Sequence, residues 1–162
     1  MTPLRLTPAA ATAANFAPYG RFYPAGAAVF TAPSFAWYEN LNASLRVSDT
    51  DGMEIGFVQV TAADPRQWEL ERHQHTREVM IAVGGTLYIT LAVGEAVNAE
   101  DYAAFILPPG SAAVLDPGIW HLAPKSTEIG AAAIILYNPG TGTQDKEVIT
   151  VADRGFEVDI LW

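Results

Sequence analysis

The chain has 162 residues, half of them hydrophobic and 17% charged, a composition that supports a packed core and argues against disorder. Lys and Arg number 9 against 18 Asp and Glu, and the resulting net charge of −9 argues against nucleic acid or an anionic membrane as a partner. Cysteine is absent and histidine occurs three times, so disulfides, thiolate nucleophiles and Cys-ligated metals are excluded and imidazole chemistry falls to His73, His75 and His121.

Thr7-Pro8, followed by Ala-rich sequence, reads as a helix start, with a hydroxyl N-cap and Pro in the first turn. That helix is expected to run to about Ala17, where Pro18-Tyr19-Gly20 stops it. The opening residues lack the uninterrupted apolar core of a signal peptide. No apolar run approaches the roughly 20 residues needed to span a bilayer. A cytoplasmic protein is expected.

Beyond the helix, short apolar or alternating segments recur, each closed by Gly, Pro, Asn or Asp. The candidate strands are Ala27–Thr31, Phe35–Tyr38, Ser44–Val47, Glu54–Thr61, Glu78–Val83, Thr86–Val93, Ala103–Leu107, Ala112–Leu115, His121–Ala123, Ala131–Tyr137, Glu147–Val151 and Phe156–Ile160. In Thr86–Val93, Leu87, Ile89, Leu91 and Val93 share one face while Tyr88, Thr90 and Ala92 share the other. Gly84-Gly85 reads as a hairpin turn, and Glu100–Tyr102 as a helical turn. No linker or repeat divides the chain. The expectation is one all-β domain, with residues 1–25 as helix and arm and 26–162 as a sandwich or barrel.

Chemistry concentrates in Glu69-Leu-Glu-Arg-His-Gln-His-Thr-Arg-Glu78. On an extended backbone His73 and His75 point the same way, so two imidazoles can share a divalent ion. Glu78 has the opposite parity and joins them only if a turn or bulge at Thr76-Arg77 resets the phase. Its bland alternative is an ion pair with Arg77 or Arg72. His121 follows the tight turn at Pro117-Gly118.

His-x-His, then Glu78-x(6)-Gly85, then Pro117-Gly-x-x-His121 resembles the two cupin motifs. The gap from His75 to Glu78 is one residue short of the usual pattern, and the Pro-x-Gly of the second motif has contracted. The resemblance implies a double-stranded β-helix, a jelly-roll-like sandwich, with His73, His75, Glu78 and His121 as metal ligands and as the catalytic group. It implies a divalent ion of unknown identity and no organic cofactor. Cupins commonly dimerise by packing sheets, so a homodimer is expected from the apolar strand Ala131–Tyr137.

Taken whole, the chain also resembles the ureidoglycolate lyase family, small cupin-fold enzymes of allantoin breakdown. The likeness runs from Leu6-Thr7-Pro8 and Phe16-Ala-Pro-Tyr-Gly20 through Leu70–Glu78 and Tyr102–Phe105 to Gly118-Ile-Trp-His121-Leu-Ala-Pro124. It implies a carbon–nitrogen lyase that cleaves ureidoglycolate to glyoxylate and urea. The departures are Val114, Leu115 and Pro117, where the family carries Asn-Tyr and Arg, and Tyr137–Gly140 in place of a polar segment.

A small carboxylate substrate would need a cation. Arg72 is the first candidate because its planar fork suits a carboxylate, although an ion pair with Glu69 or Glu71 is an equal reading. Lys125 is a further cation, and Tyr88 either lines the pocket or packs. Trp120 is expected in the core. Two other functions stay open: a metal-dependent cupin acting on another small organic acid, and a non-catalytic cupin that binds a small ligand.

Overall fold

A computed structural model describes residues 1–25, 28–31, 36–38 and 52–162. Ser44–Val47 lies outside the described residues. The fold is all-β, a sandwich of sheets with two short α-helices among the described residues. In chain order the strands are β1 (Thr2–Leu6), β2 (Ala9–Ala10), β3 (Gly20–Tyr23), β4 (Ala28–Thr31), β5 (Ala36–Tyr38), β6 (Glu54–Gln59), β7 (Arg66–Gln67) and β8 (Glu69–Arg72). They continue as β9 (Glu78–Gly84), β10 (Leu87–Ala92), β11 (Tyr102–Leu107), β12 (Ala112–Leu115), β13 (Trp120–His121), β14 (Ala132–Tyr137), β15 (Glu147–Thr150) and β16 (Phe156–Ile160).

Two sheets face each other. One has six strands in the order β15-β8-β13-β10-β11-β2, the other five in the order β3-β12-β9-β14-β6. Their inner faces meet in one core: Met80, Ala82, Ala113, Leu115, Ala133 and Ile135 from the five-stranded sheet against Leu87, Ile89, Leu91, Phe105 and Leu107 from the other. The alternation in β10 therefore works as its sequence implies. Its opposite face carries Ala92 into a second core with Leu70, Tyr102, Trp120 and Val158, roofed by the three-stranded sheet β1-β16-β7. Both faces are apolar because both are covered. Among the described residues no helix is long and apolar enough to cross a membrane.

The N-terminal helix is much shorter than expected. Only α1 (Ala13–Phe16) is helical, and Thr12, rather than Thr7, caps it: Thr12 Oγ1 accepts from Asn15 N at 3.2 Å while Asn15 Oδ1 accepts from Thr12 N at 2.8 Å. Ahead of it β1 runs parallel to β16, and β2 extends the six-stranded sheet beside β11. A lone Ala-rich helix of this length is marginal in water, whereas a sheet edge supplies ready backbone partners. Residues 1–25 are thus woven into all three of these sheets and are no separate arm. Phe16 is fully buried, with its ring centroid 5.1 Å from that of Phe105.

Gly84-Gly85 is also corrected. It is no hairpin, because β9 lies in the five-stranded sheet and β10 in the other. The turn carries the chain across the sandwich. Gly85 sits at φ +71°, and a Cβ there would meet the Ala131 Cβ at 2.7 Å, so a glycine is required. Strands β3, β7 and β8 were not anticipated: they are short and lack clear alternation, and their pairing is long-range.

Replacing Phe16 with Ala removes a fully buried ring from the inner core, where it packs against Tyr19, Phe22 and Phe105. The expected cost is about 3–5 kcal/mol in urea denaturation. A loss under about 1 kcal/mol would show that the Phe16 ring contributes little to the core.

Candidate metal centre

Strand parity assembles the centre. In β13, His121 lies opposite Leu91 of β10 and Glu71 of β8, so His121 and Glu71 share the inner face of the six-stranded sheet. Its neighbour Trp120 turns outward into the second core, as expected. On β8 the next inward position after Glu71 is His73, just past the strand end. From the facing sheet Glu78 opens β9 and points inward, two residues before Met80.

These groups converge. Glu78 Oε2 lies 3.3 Å from His73 Nε2 and 3.3 Å from His121 Nε2. Ligand atoms of Glu71, His73 and His121 all lie within 4.8 Å of one another. His73 and His121 are 5% and 2% exposed, and Glu78 is 6% exposed. Burial pushes the Glu78 carboxyl upward, but the His121 and His73 rings outweigh it and hold the group well below the usual carboxylate range. Burial alone would lower the His121 pKa; the Glu78 carboxylate outweighs it and raises it.

The tautomers are fixed by the backbone. His73 Nδ1 lies 2.6 Å from the Asp145 carbonyl oxygen, and His121 Nδ1 lies 2.9 Å from that of Ile119. A carbonyl only accepts, so each Nδ1 carries the proton. In the neutral rings both Nε2 atoms then present lone pairs to a carboxylate oxygen. His121 Nε2 is buried and makes no hydrogen bond among the described residues, despite its 3.3 Å approach to Glu78. Lone pairs facing one another in a buried site require a cation between them.

A proton or a metal ion would serve. Donor atoms about 2.1 Å from a shared ion stand roughly 3.0–3.4 Å apart at right or tetrahedral angles, so the observed 3.3 Å leaves room for an ion. Nδ1–H bonds to backbone carbonyls are also the usual support of a ligating imidazole.

His75 does not join the centre. The strand stops at Arg72, the chain bends at Gln74-His75, and His75 is exposed with its backbone N–H bonded to Asp145 Oδ2 at 2.9 Å. Extended parity therefore pairs His73 with Glu71 on its N-terminal side. Glu71 was missed, although the same period of two would have found it.

The expected substrate cations are engaged elsewhere. Arg72 faces the second core, stacked 4.4 Å over Trp120, bidentate to Glu95 at 2.7 and 2.8 Å, and bonded to Glu147. Arg77 pairs with Asp116 at 2.9 Å, so neither arginine takes Glu78. Tyr88 packs on Trp162 at 5.4 Å between ring centroids, and its backbone bridges Lys125. Tyr88 points away from the Leu87–Ile89–Leu91 face of β10 that lines the inner core, so it is not placed with the histidines. Val114 and Leu115 are 1% exposed in β12 and Pro117 is exposed in a turn. The site does open on a cavity of about 260 Å³, bounded by Glu71, Glu78, Met80, Ile135, Tyr137 and the edge strand β6.

No family model matches the chain, and no curated protein matches it. Solved structures do. The sugar 3,4-ketoisomerase QdtA from Thermoanaerobacterium thermosaccharolyticum, in complex with TDP, is 14% identical, with a TM-score of 0.47 over 58% of this chain and 64% of its own. A dTDP sugar isomerase from Desulfovibrio desulfuricans is 15% identical, with a TM-score of 0.46 over 72% of this chain and 76% of its own. Oxalate decarboxylase from Bacillus subtilis is 10% identical, with a TM-score of 0.40 over 76% of this chain and 35% of its own. The chain thus spans 64% of the length of the QdtA structure. The resemblance to ureidoglycolate lyases is corrected by this result. The structures found are sugar isomerases and an oxalate decarboxylase, and none of these is a ureidoglycolate lyase; the lyase activity and the allantoin pathway are dropped. The physical reason is local: where that family's polar residues would stand, Val114 and Leu115 are core side chains.

A pH dependence follows from the two shifted groups in the metal-free protein. The lowered Glu78 pKa contributes stability that is complete above about pH 4.3 and is lost as pH falls through the lowered value. The raised His121 pKa contributes stability that is complete below about pH 6.5 and is lost as pH rises through the raised value. The melting temperature is therefore expected to fall as pH rises above about 6.5 through the raised His121 value, and His121→Asn to flatten that fall. Parallel slopes in both proteins, measured by calorimetry after chelation, would remove His121 as the cause.

Proposed function

We propose that this protein is a metal-dependent cupin enzyme, with His73, His121 and Glu78 as ligands of one divalent ion and the adjoining cavity as the binding site for a small molecule. One observation carries the reading: the Nε2 atoms of His73 and His121 each stand 3.3 Å from the same buried carboxylate oxygen. Two nitrogens and an oxygen suit Mn, Fe, Co, Ni, Cu or Zn, and the set does not choose among them. When bound, such an ion supplies Lewis-acid polarisation of a substrate oxygen.

The chain's own residues supply the rest. Glu71 is half-buried at the cavity wall beside both imidazoles, placed to take up and return a proton from bound substrate. Met80 and Ile135 keep the inner wall apolar, and Tyr137 adds a hydroxyl. The described cavity residues include two carboxylates and no Lys or Arg, which favours an uncharged hydroxy-carbonyl compound over a carboxylate. The reaction class in best accord is proton transfer at the carbon beside a carbonyl.

Two measurements test this. Loading the purified protein with Mn, Fe, Co, Ni, Cu or Zn, followed by elemental analysis, should give about one ion per chain for at least one metal. His121→Ala should weaken that metal about 100-fold or more. Retention of no metal at all would end the reading. For the reaction, metal-loaded protein in deuterated water should exchange the carbon-bound hydrogens of dihydroxyacetone faster than free metal does, and Glu71→Gln should abolish the excess. Equal exchange by Glu71→Gln would remove Glu71 as the proton carrier.

A further inference from the structure

Helix α2 (Thr141–Gln144) ends against Asp145, and the chain passes through Lys146 into β15, antiparallel to β8. Glu147 stands opposite Arg72 in that register. Three consecutive residues of one segment thereby meet three consecutive residues of the other. The Glu147 carboxylate accepts from Arg72 Nε. The Lys146 ammonium pairs with Glu71. The Asp145 carbonyl accepts from His73 Nδ1 at 2.6 Å.

The Asp145 side chain has a further task. Its Oδ1 accepts from Gln74 N at 2.8 Å and its Oδ2 from His75 N at 2.9 Å. These bonds tie the bend after His73 to Asp145, and so hold the Asp145 carbonyl against the ring. A carbonyl that fixes the proton on Nδ1 leaves Nε2 bare toward the centre. Lys146 acts on the other inward side chain of the same strand. A ligand atom of Glu71 lies within 4.8 Å of one from each imidazole, so its carboxylate is within reach of an ion held there. An ammonium on its carboxylate competes with any ion for it and adds a positive charge beside the site.

We propose that Asp145 and Lys146 are positioning residues with opposite actions on the metal centre: Asp145 holds His73 as a ligand, and Lys146 holds Glu71 out of the ligand set and in the cavity. This rests on the metal reading above. It assigns a sign to each residue that a purely structural strap would not have. Loss of Asp145 weakens ion binding, and loss of Lys146 strengthens it.

The test is the dissociation constant of whichever ion the wild-type protein retains, measured by calorimetry for Asp145→Ala, Asp145→Asn and Lys146→Met. The companion measurement is the ring-nitrogen NMR spectrum of His73 in metal-free protein. Asp145→Ala is expected to weaken binding about 10- to 100-fold, and Asp145→Asn, which keeps one acceptor oxygen, to recover part of it. Lys146→Met is expected to tighten binding on the order of threefold, since Lys146 is partly exposed and its field is screened. His73 should show the Nδ1–H tautomer in wild type and a mixture in Asp145→Ala. Shifts in the same direction for Asp145→Ala and Lys146→Met would overturn the proposal, as would an unchanged His73 spectrum in Asp145→Ala. Because Asp145→Asn preserves shape, a folded Asp145→Asn with wild-type affinity and tautomer would overturn the Asp145 assignment even if Asp145→Ala failed to fold. If the wild-type protein retains no ion, the metal reading and the Lys146 assignment fail together, and the His73 spectrum alone decides Asp145.

Discussion

A carboxylate has been drawn out of water at Glu78 and set between two imidazoles whose free nitrogens face it. Burying one such charge without compensation costs several kcal/mol, and two opposed lone pairs add to the cost. The arrangement is tolerable only with positive charge at its centre. Glu78 belongs to one sheet and both histidines to the other, so the charge that satisfies the site also joins the two layers. Closure of the sandwich and formation of the site are in this sense one event.

The sandwich pays for this polar junction with the apolar packing around it. Most of the inner layer is Leu, Ile, Ala, Met and Phe from facing strands. Strand β8 divides its side chains between two environments. Glu71 points with His121 into the cavity side, while Leu70 and Arg72 point into the second core, where Arg72 lies on Trp120. A slip of one residue in the β8–β13 register would exchange the two sets and place an arginine beside His121 and Glu78. The ties from 145–147 oppose that slip, because each holds a different residue of the strand or of the bend that follows it.

Local motifs carry fold-level information further than they carry chemistry. Gly118-Ile-Trp-His121 fits a turn that delivers an imidazole inward and an indole outward, whatever the reaction. The same is true of Glu78 at the start of β9. A resemblance built on such segments speaks to a β-sandwich and leaves the substrate undetermined, since Gly56, Phe57 and Val58 of β6 and Ile135 and Tyr137 of β14 line the cavity from outside those motifs.

By itself the sequence determined the all-β class and the two faces of β10. With three histidines and no cysteine it directed attention to imidazole and carboxylate groups, and the motif resemblance picked out His73, Glu78 and His121, whose side chains the fold brings together. The helix from Thr7, the hairpin at Gly84-Gly85 and the roles of His75, Arg72, Tyr88 and Lys125 were not legible in the sequence. Each was judged from neighbours in sequence, and each was decided by a partner far along the chain: β11 for Ala9–Ala10, Glu95 and Glu147 for Arg72, and Trp162 for Tyr88. Glu71 and Asp145 show the difference most clearly. Glu71 is two residues from His73 and follows from strand periodicity once the end of β8 is known. Asp145 is 72 residues from His73, and nothing local marks it. Side-chain direction is a local property of the backbone, whereas the backbone carbonyl that fixes a tautomer is chosen only when two distant segments pack.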